Sequence, residues 1–142
     1  MFAKHHYLAH SHNNAAKVFI ALANGEIAGF CSVLYFPHPK VKNMYKVHRL
    51  VVLPDYQGVG LGIRLQSFIA NHYTVNLGFR FTILTSQPAL VSAYQKDKNW
   101  ICTRFGRVSS GQGKIQNKKD INTTSAQRVT TSWEYISNKI NK

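Results

Sequence analysis

From Val51 to Gly62 the chain reads Val-Val-Leu-Pro-Asp-Tyr-Gln-Gly-Val-Gly-Leu-Gly, with three glycines at alternate positions between an apolar run and an amphipathic one. A glycine in a helix costs up to about 1 kcal/mol relative to alanine, so such a cluster needs a reason. Close backbone approach supplies one. Without Cβ atoms, successive N–H groups converge on an anion, and the start of a helix adds its partial positive charge. A pyrophosphate suits that chemistry. Two phosphate-binding loops are excluded by spacing. A dinucleotide fingerprint needs GxGxxG and an acid about twenty positions on, where this chain has GxGxG and Arg80. A Walker loop ends Gly-Lys-Ser/Thr, where this chain continues Ile63-Arg64.

The elements that position this turn follow from periodicity. Two β-branched and aromatic runs, about 16–23 and 26–36, flank Asn24-Gly25, a hairpin signal, and Pro37 and Pro39 end the second. Tyr45 to Leu53 reads as a third strand, apolar on both faces at its C-terminal end, stopped by Pro54. Leu61, Leu65, Phe68, Ile69 and His72 mark one face of a helix over about 59–73. A strand over about 79–84 follows, then a helix beginning near Pro88, then strands over about 100–107 and 128–136. Ser109 to Gln127 has almost no apolar residue and reads as an exposed, flexible basic loop. The order β-β-β-α-β-α-β-β implies an α/β class with one mixed sheet, in a single domain spanning 1–142.

The segment Gln57-Gly58-Val59-Gly60-Leu61-Gly62, preceded by Val52-Leu53-Pro54, resembles motif A of the GNAT superfamily of acyl-CoA-dependent N-acyltransferases. Downstream, Ala89-Leu90-Val91-Ser92-Ala93-Tyr94-Gln95-Lys96 is similar to the family's tyrosine-bearing helix, with Trp100 in the place of the final aromatic and Asn99 in that of a glycine. The resemblance covers roughly residues 16–136. It implies a mostly antiparallel central sheet with flanking helices, the N-terminal ones shortened or missing. It also implies acetyl-CoA as the acyl donor and transfer of its acetyl group to an amine by direct attack on the thioester. Main-chain groups of Val51, Val52 and Leu53 would pair with the pantetheine arm. Amides of Gln57, Gly58, Val59, Gly60, Leu61 and Gly62 would hold the pyrophosphate, and Arg64 the remaining phosphate. Tyr94 is then the candidate acid for the departing thiolate, since a phenol with ordinary pKa near 10 can protonate it. His48 and Glu134 are the candidate bases, the first on the strand that enters the motif. The stretches His48 to Gln57, Thr85 to Ala89 and Thr131 to Tyr135 look similar to phage-associated GNAT proteins related to Mom-type DNA modifiers.

Charge frames the remaining expectations. The 142 residues carry 18 Lys and Arg against five Asp and Glu, a formal net charge of +13, with 44% hydrophobic and 12% aromatic residues. That is enough apolar material for a packed core, and the excess calls for a polyanionic partner. Nucleic acid, as partner or as the amine substrate, is the alternative to a small-molecule acceptor. Trp100, Trp133 and Tyr135 read as strand core rather than as stacking platforms. Cys31 and Cys102 lie singly in apolar runs and read as buried free thiols. His5, His6, His10 and His12 read as solvated, not as a metal site. No run of about 18 apolar residues and no greasy N-terminal stretch is present, so the expectation is a cytoplasmic protein without a membrane partner.

Overall fold

A computed structural model describes residues 13–107 and 129–136. The elements are β1 (Lys17–Ala23), β2 (Glu26–Tyr35), β3 (Met44–Val52), a 3-10 turn (Pro54–Tyr56), α1 (Leu61–Asn71) and a π turn (His72–Asn76). They continue through β4 (Arg80–Thr85), α2 (Pro88–Lys96), β5 (Trp100–Arg107) and β6 (Val129–Tyr135). This is the expected order. The loop of 109–127 and the N-terminal histidines lie outside the described residues.

The six strands form one sheet in the order β1-β2-β3-β4-β6-β5. Only β3 and β4 run parallel, joined by the α1 crossover; every other pair is antiparallel. The β1–β2 hairpin closes on Asn24 and Gly25, both at positive φ (53° and 83°), as an Asn-Gly turn requires. The parallel pairing is short. It joins Met44 to Arg80, Tyr45 to Phe81 and Lys46 to Thr82 and then stops, so β3 and β4 fork apart beyond Lys46.

Both helices pack on one face of the sheet. Cys31 and Val33 of β2, Phe81 and Ile83 of β4, and Trp133 and Tyr135 of β6 meet Ile69, Ala70, Tyr73 and Tyr94 there. Trp100, Trp133 and Tyr135 are thus core, as their sequence pattern implied.

Two expectations are corrected. The inward face of α1 and the π turn is Gln66, Ile69, Ala70 and Tyr73, whereas Phe68 is 70% exposed. The buried set keeps helical spacing but includes a glutamine, which hydropathy places outside. Cys31 is buried but Cys102 is exposed, because β5 is an edge strand with an irregularity between Cys102 and Arg104. Among the described residues no helix is long and apolar enough to cross a membrane.

Candidate functional site

The fork opens onto a cleft of about 700 Å³ bounded by the end of β3, the glycine turn, the start of α1 and one face of α2. Seven of the residues expected to hold a cofactor line it: Val51, Val52, Gln57, Gly58, Gly60, Leu61 and Gly62. Leu53, Val59 and Arg64 do not; Val59 and Arg64 point to solvent.

The three glycines serve two purposes. Gly58 and Gly60 have φ of 82° and 77°, and Gly60 is the left-handed N-cap from which α1 starts. A Cβ on Gly58 would meet nothing within 4 Å, and one on Gly60 would meet only Ile63 Cγ2 at 3.9 Å, so these two positions border open space. Gly62 is different. Its Cβ would stand 3.2 Å from Leu50 Cδ2 and 3.7 Å from Val52 Cγ2, so here glycine lets α1 approach β3. The helix begins at Leu61, two residues later than periodicity suggested, because left-handed residues cannot join a right-handed helix.

The backbone offers donors on two sides. No side chain caps α1 and no acid sits in its first turn, which leaves its leading N–H groups and their partial positive charge facing the cleft. Gln57 is not free in the same way. Its N–H closes the 3-10 turn on the Pro54 carbonyl, and its side-chain Nε2 donates to the Val52 carbonyl at 2.9 Å.

Along β3 the hydrogen-bond parity corrects an expectation. Leu53 N–H donates to the Ala28 carbonyl at 2.9 Å, so Val51, two residues back and paired with Phe30, also turns its polar groups toward β2. The Leu53 carbonyl in turn accepts from Tyr56 N–H. Val51 and Leu53 are therefore committed, and the groups turned to the open fork belong to Leu50 and to the N–H of Val52.

The three candidate acid–base groups divide between the two faces. Tyr94 lies on the helical side, fully buried, its ring against Trp100 and Trp133 at centroid distances of 4.7 and 5.5 Å. Its hydroxyl donates to Gln66 Oε1, while Gln66 Nε2 is buried with no partner. Burial, with a smaller effect from nearby Cys31, pushes the phenol well above its ordinary range. Burial likewise raises the Cys31 thiol to about 12.

His48 lies on the other face. The register steps from Val33–Val47 to Ser32–Arg49, leaving His48 as the extra residue of a β-bulge, with Nδ1 3.5 Å from Ser32 Oγ. Bulges of this kind re-aim a side chain. Glu134 shares that face but is engaged by Arg80, whose Nε and Nη2 donate to its two carboxylate oxygens at 2.6 and 2.7 Å. The hydrogen bond to Glu134 holds the Arg80 guanidinium above its usual range.

The sequence reading missed Gln66 beneath Tyr94, Ser32 beside His48, and the α2 wall of Ala89, Leu90 and Ala93. Only the last had a signal, since Ala89 and Ala93 are small residues one helical turn apart. Among the described residues no group of three or more His, Cys, Asp or Glu stands together as metal ligands would.

Comparison with known proteins agrees with this geometry. The family model described as Acetyltransferase (GNAT) domain matches residues 14–96. No curated protein sequence matches the chain. A Bacillus subtilis acetyltransferase solved in complex with CoA superposes with a TM-score of 0.61 at 18% identity, covering 87% of this chain and 78% of that one. A Bacillus anthracis protein in complex with acetyl coenzyme A gives 0.58 at 14%, covering 89% and 65%. A Vibrio cholerae spermidine N-acetyltransferase variant gives 0.60 at 12%, covering 88% and 68%.

Proposed function

Since the chain belongs to the GNAT acetyltransferase family, we propose that it is an N-acetyltransferase whose donor substrate is acetyl-CoA and whose acceptor is an amine that attacks the thioester directly. The observation that carries this reading is the fork. A strand edge with open polar groups at Leu50 and Val52 runs into a turn of left-handed glycines and an uncapped helix start, all on one cleft. The residues fit the donor. The leading amides of α1 suit its pyrophosphate, the open edge of β3 suits the amides of its arm, and Gly58 and Gly60 leave open space where a side chain would intrude.

The thioester supplies a carbonyl already activated toward attack, and the protein has three tasks around it. It must hold the carbonyl beside the amine, remove a proton from nitrogen and return one to sulfur. As the new C–N bond forms the C–S bond breaks, so one proton leaves the nitrogen and one is needed by the thiolate. Tyr94 is the proposed donor to sulfur. Its raised pKa keeps the phenol protonated across the neutral range, and the hydroxyl, which in the resting structure donates to Gln66 Oε1, would have to turn from that partner to reach sulfur. His48 is the proposed acceptor of the amine proton, because the bulge places it just beyond the fork on the face opposite the helices. Glu134, tied to Arg80, is better suited to shaping that face than to accepting a proton. Arg64, exposed and outside the cleft lining, takes no part in the proposed chemistry.

Calorimetric titration of acetyl-CoA against wild type and Gly60→Asp tests the donor site. Binding by wild type at least tenfold tighter than by Gly60→Asp is expected, since a carboxylate would sit among amides meant for phosphate. Equal binding by the two, or none by either, sinks the reading.

A further inference from the structure

The face of the sheet turned away from α1 and α2 carries a concentration of charge that donor binding does not use. Strand alternation puts Lys46, Arg49 and Arg80 there, because their neighbours Tyr45, Leu50 and Phe81 enter the core on the other side, and Arg104 joins them through its pairing with Ser132, the residue before core Trp133. Lys46 is part of the last β3–β4 pair at the apex of the fork, and Arg49 follows the His48 bulge just beyond it. Glu134 is the only acid within strands β3, β4, β5 and β6 among the described residues, Asp55 and Asp97 lying in connections between elements, and Arg80 already engages both its oxygens. Glu26 is remote, at the hairpin tip, six residues along β2 from the Ser32 that pairs with Arg49.

Lys46, Arg49 and Arg104 make no ion pair among the described residues. The Lys46 ammonium lies instead 4.6 Å over the Phe36 ring. Lys46 and Arg49 are both half-buried. Half-buried cations of one sign on one face, with no ion pair among the described residues, are unfavourable by themselves, and an anion placed beside them relieves the cost. The site has a direction as well. A donor lying in the helical-side cleft can present its carbonyl only through the fork, so the acceptor must come from the face that carries these cations.

We propose that the acceptor amine belongs to a molecule that also carries an anionic group, a phosphate or a carboxylate, which Arg49 binds beside His48. This rests on the acetyltransferase reading and narrows it to a substrate class. A polyamine is disfavoured, because each of its ammonium groups meets Lys46 and Arg49, which make no ion pair among the described residues.

The test uses CoA-loaded protein and three small amines that differ mainly in charge: O-phosphoethanolamine, ethanolamine and 1,4-diaminobutane, with affinities measured by ligand-observed NMR. Phosphoethanolamine should bind at least tenfold more tightly than ethanolamine, and diaminobutane most weakly. Arg49→Gln should shrink the first ratio about tenfold while leaving CoA affinity and the melting temperature unchanged. Equal binding of the three, no binding of any, or tightest binding of diaminobutane overturns the inference. So does an Arg49→Gln variant with the wild-type ratio. Failure to bind CoA at all is a different result and removes the acetyltransferase reading instead. A mixed-sequence oligonucleotide arm separates sources of the anion. Displacement of phosphoethanolamine with a steep salt dependence assigns the anion to a nucleic-acid backbone; displacement by small phosphorylated amines alone assigns it to a small molecule.

Discussion

Tyr94 is where structural and catalytic explanations compete most directly, and the Gln66 contact lets them be separated. Replacing Tyr94 by phenylalanine keeps the ring packing against Trp100 and Trp133 but deletes the hydroxyl. Gln66 then has both polar ends of its amide buried without a partner, since Nε2 already lacks one. Stranding a buried group in this way costs about 1–3 kcal/mol. At about 4 °C per kcal/mol for a chain of this size, the melting midpoint should fall by roughly 4–12 °C. A second variant, Tyr94→Phe with Gln66→Met, removes both polar partners at once and should recover most of that loss, because replacing both by apolar groups is nearly neutral. Activity should not recover with it. Loss of a proton donor costs about 10²–10⁴ in turnover, so both variants should release CoA thiol that much more slowly than wild type at saturating acetyl-CoA. Thermal unfolding with a thiol-release assay reads both quantities. A double variant that is stable and turns over within threefold of wild type refutes the donor role and leaves Tyr94 as core alone.

The glycines should rank by cause rather than by their place in the motif. Gly29→Ala forces a Cβ to 2.6 Å from the Val51 carbonyl oxygen and should be the most destabilising of the series, with a melting loss larger than that of Gly62→Ala, whose contact is 3.2 Å to the flexible end of Leu50. Gly58→Ala meets nothing and should cost only the left-handed backbone term of about 1–2 kcal/mol; a loss as large as that of Gly29→Ala would contradict the assignment. Alkaline stability should follow Cys31. The unfolded thiol releases its proton near 9.0 and the folded one near 12, so above pH 9 the unfolded chain binds fewer protons and stability falls as pH rises toward 12. Below pH 9 the contribution is constant. Cys31→Ala should flatten the melting temperature between pH 9 and 10, before the raised Tyr94 phenol adds its own loss; an unchanged slope removes Cys31 as the cause.

What the sequence made legible was whatever short-range chemistry decides. Asn24-Gly25 specifies a hairpin through left-handed backbone, Pro54 stops β3, and the glycine run marks a turn before a helix, so strand and helix order came out as read. What stayed hidden depends on partners far along the chain. Hydropathy put Phe68 inside α1 and left Gln66 out, because nothing within the helix reveals that Tyr94, 28 residues on, supplies a hydrogen bond for a glutamine. The main-chain groups assigned to Val51 and Leu53 were out of phase for a similar reason. Which residues of β3 face the fork is set by the Leu53–Ala28 bond to β2, and no property of the run itself records that parity.

The division of the candidate acid–base groups between faces then follows from the way the sheet forks. A continuous ladder between β3 and β4 would seal the sheet, and a donor on the helical side could never meet an acceptor on the other. Pairing that ends at Lys46 and Thr82 leaves a gap whose two sides carry different chemistry. On the helical side the cleft has amides and apolar walls, suited to a phosphorylated arm, while the Tyr94 phenol is buried on that side outside the cleft lining. On the other are an imidazole re-aimed by a bulge and cations, Lys46 and Arg49, that make no ion pair among the described residues, suited to a neutral amine with an anion attached. If the backbone meets the donor's phosphates as proposed, the charge of +13 is not explained by the donor. The Arg49→Gln experiment probes that separation directly: the substitution should change which amine is bound without changing how CoA is held.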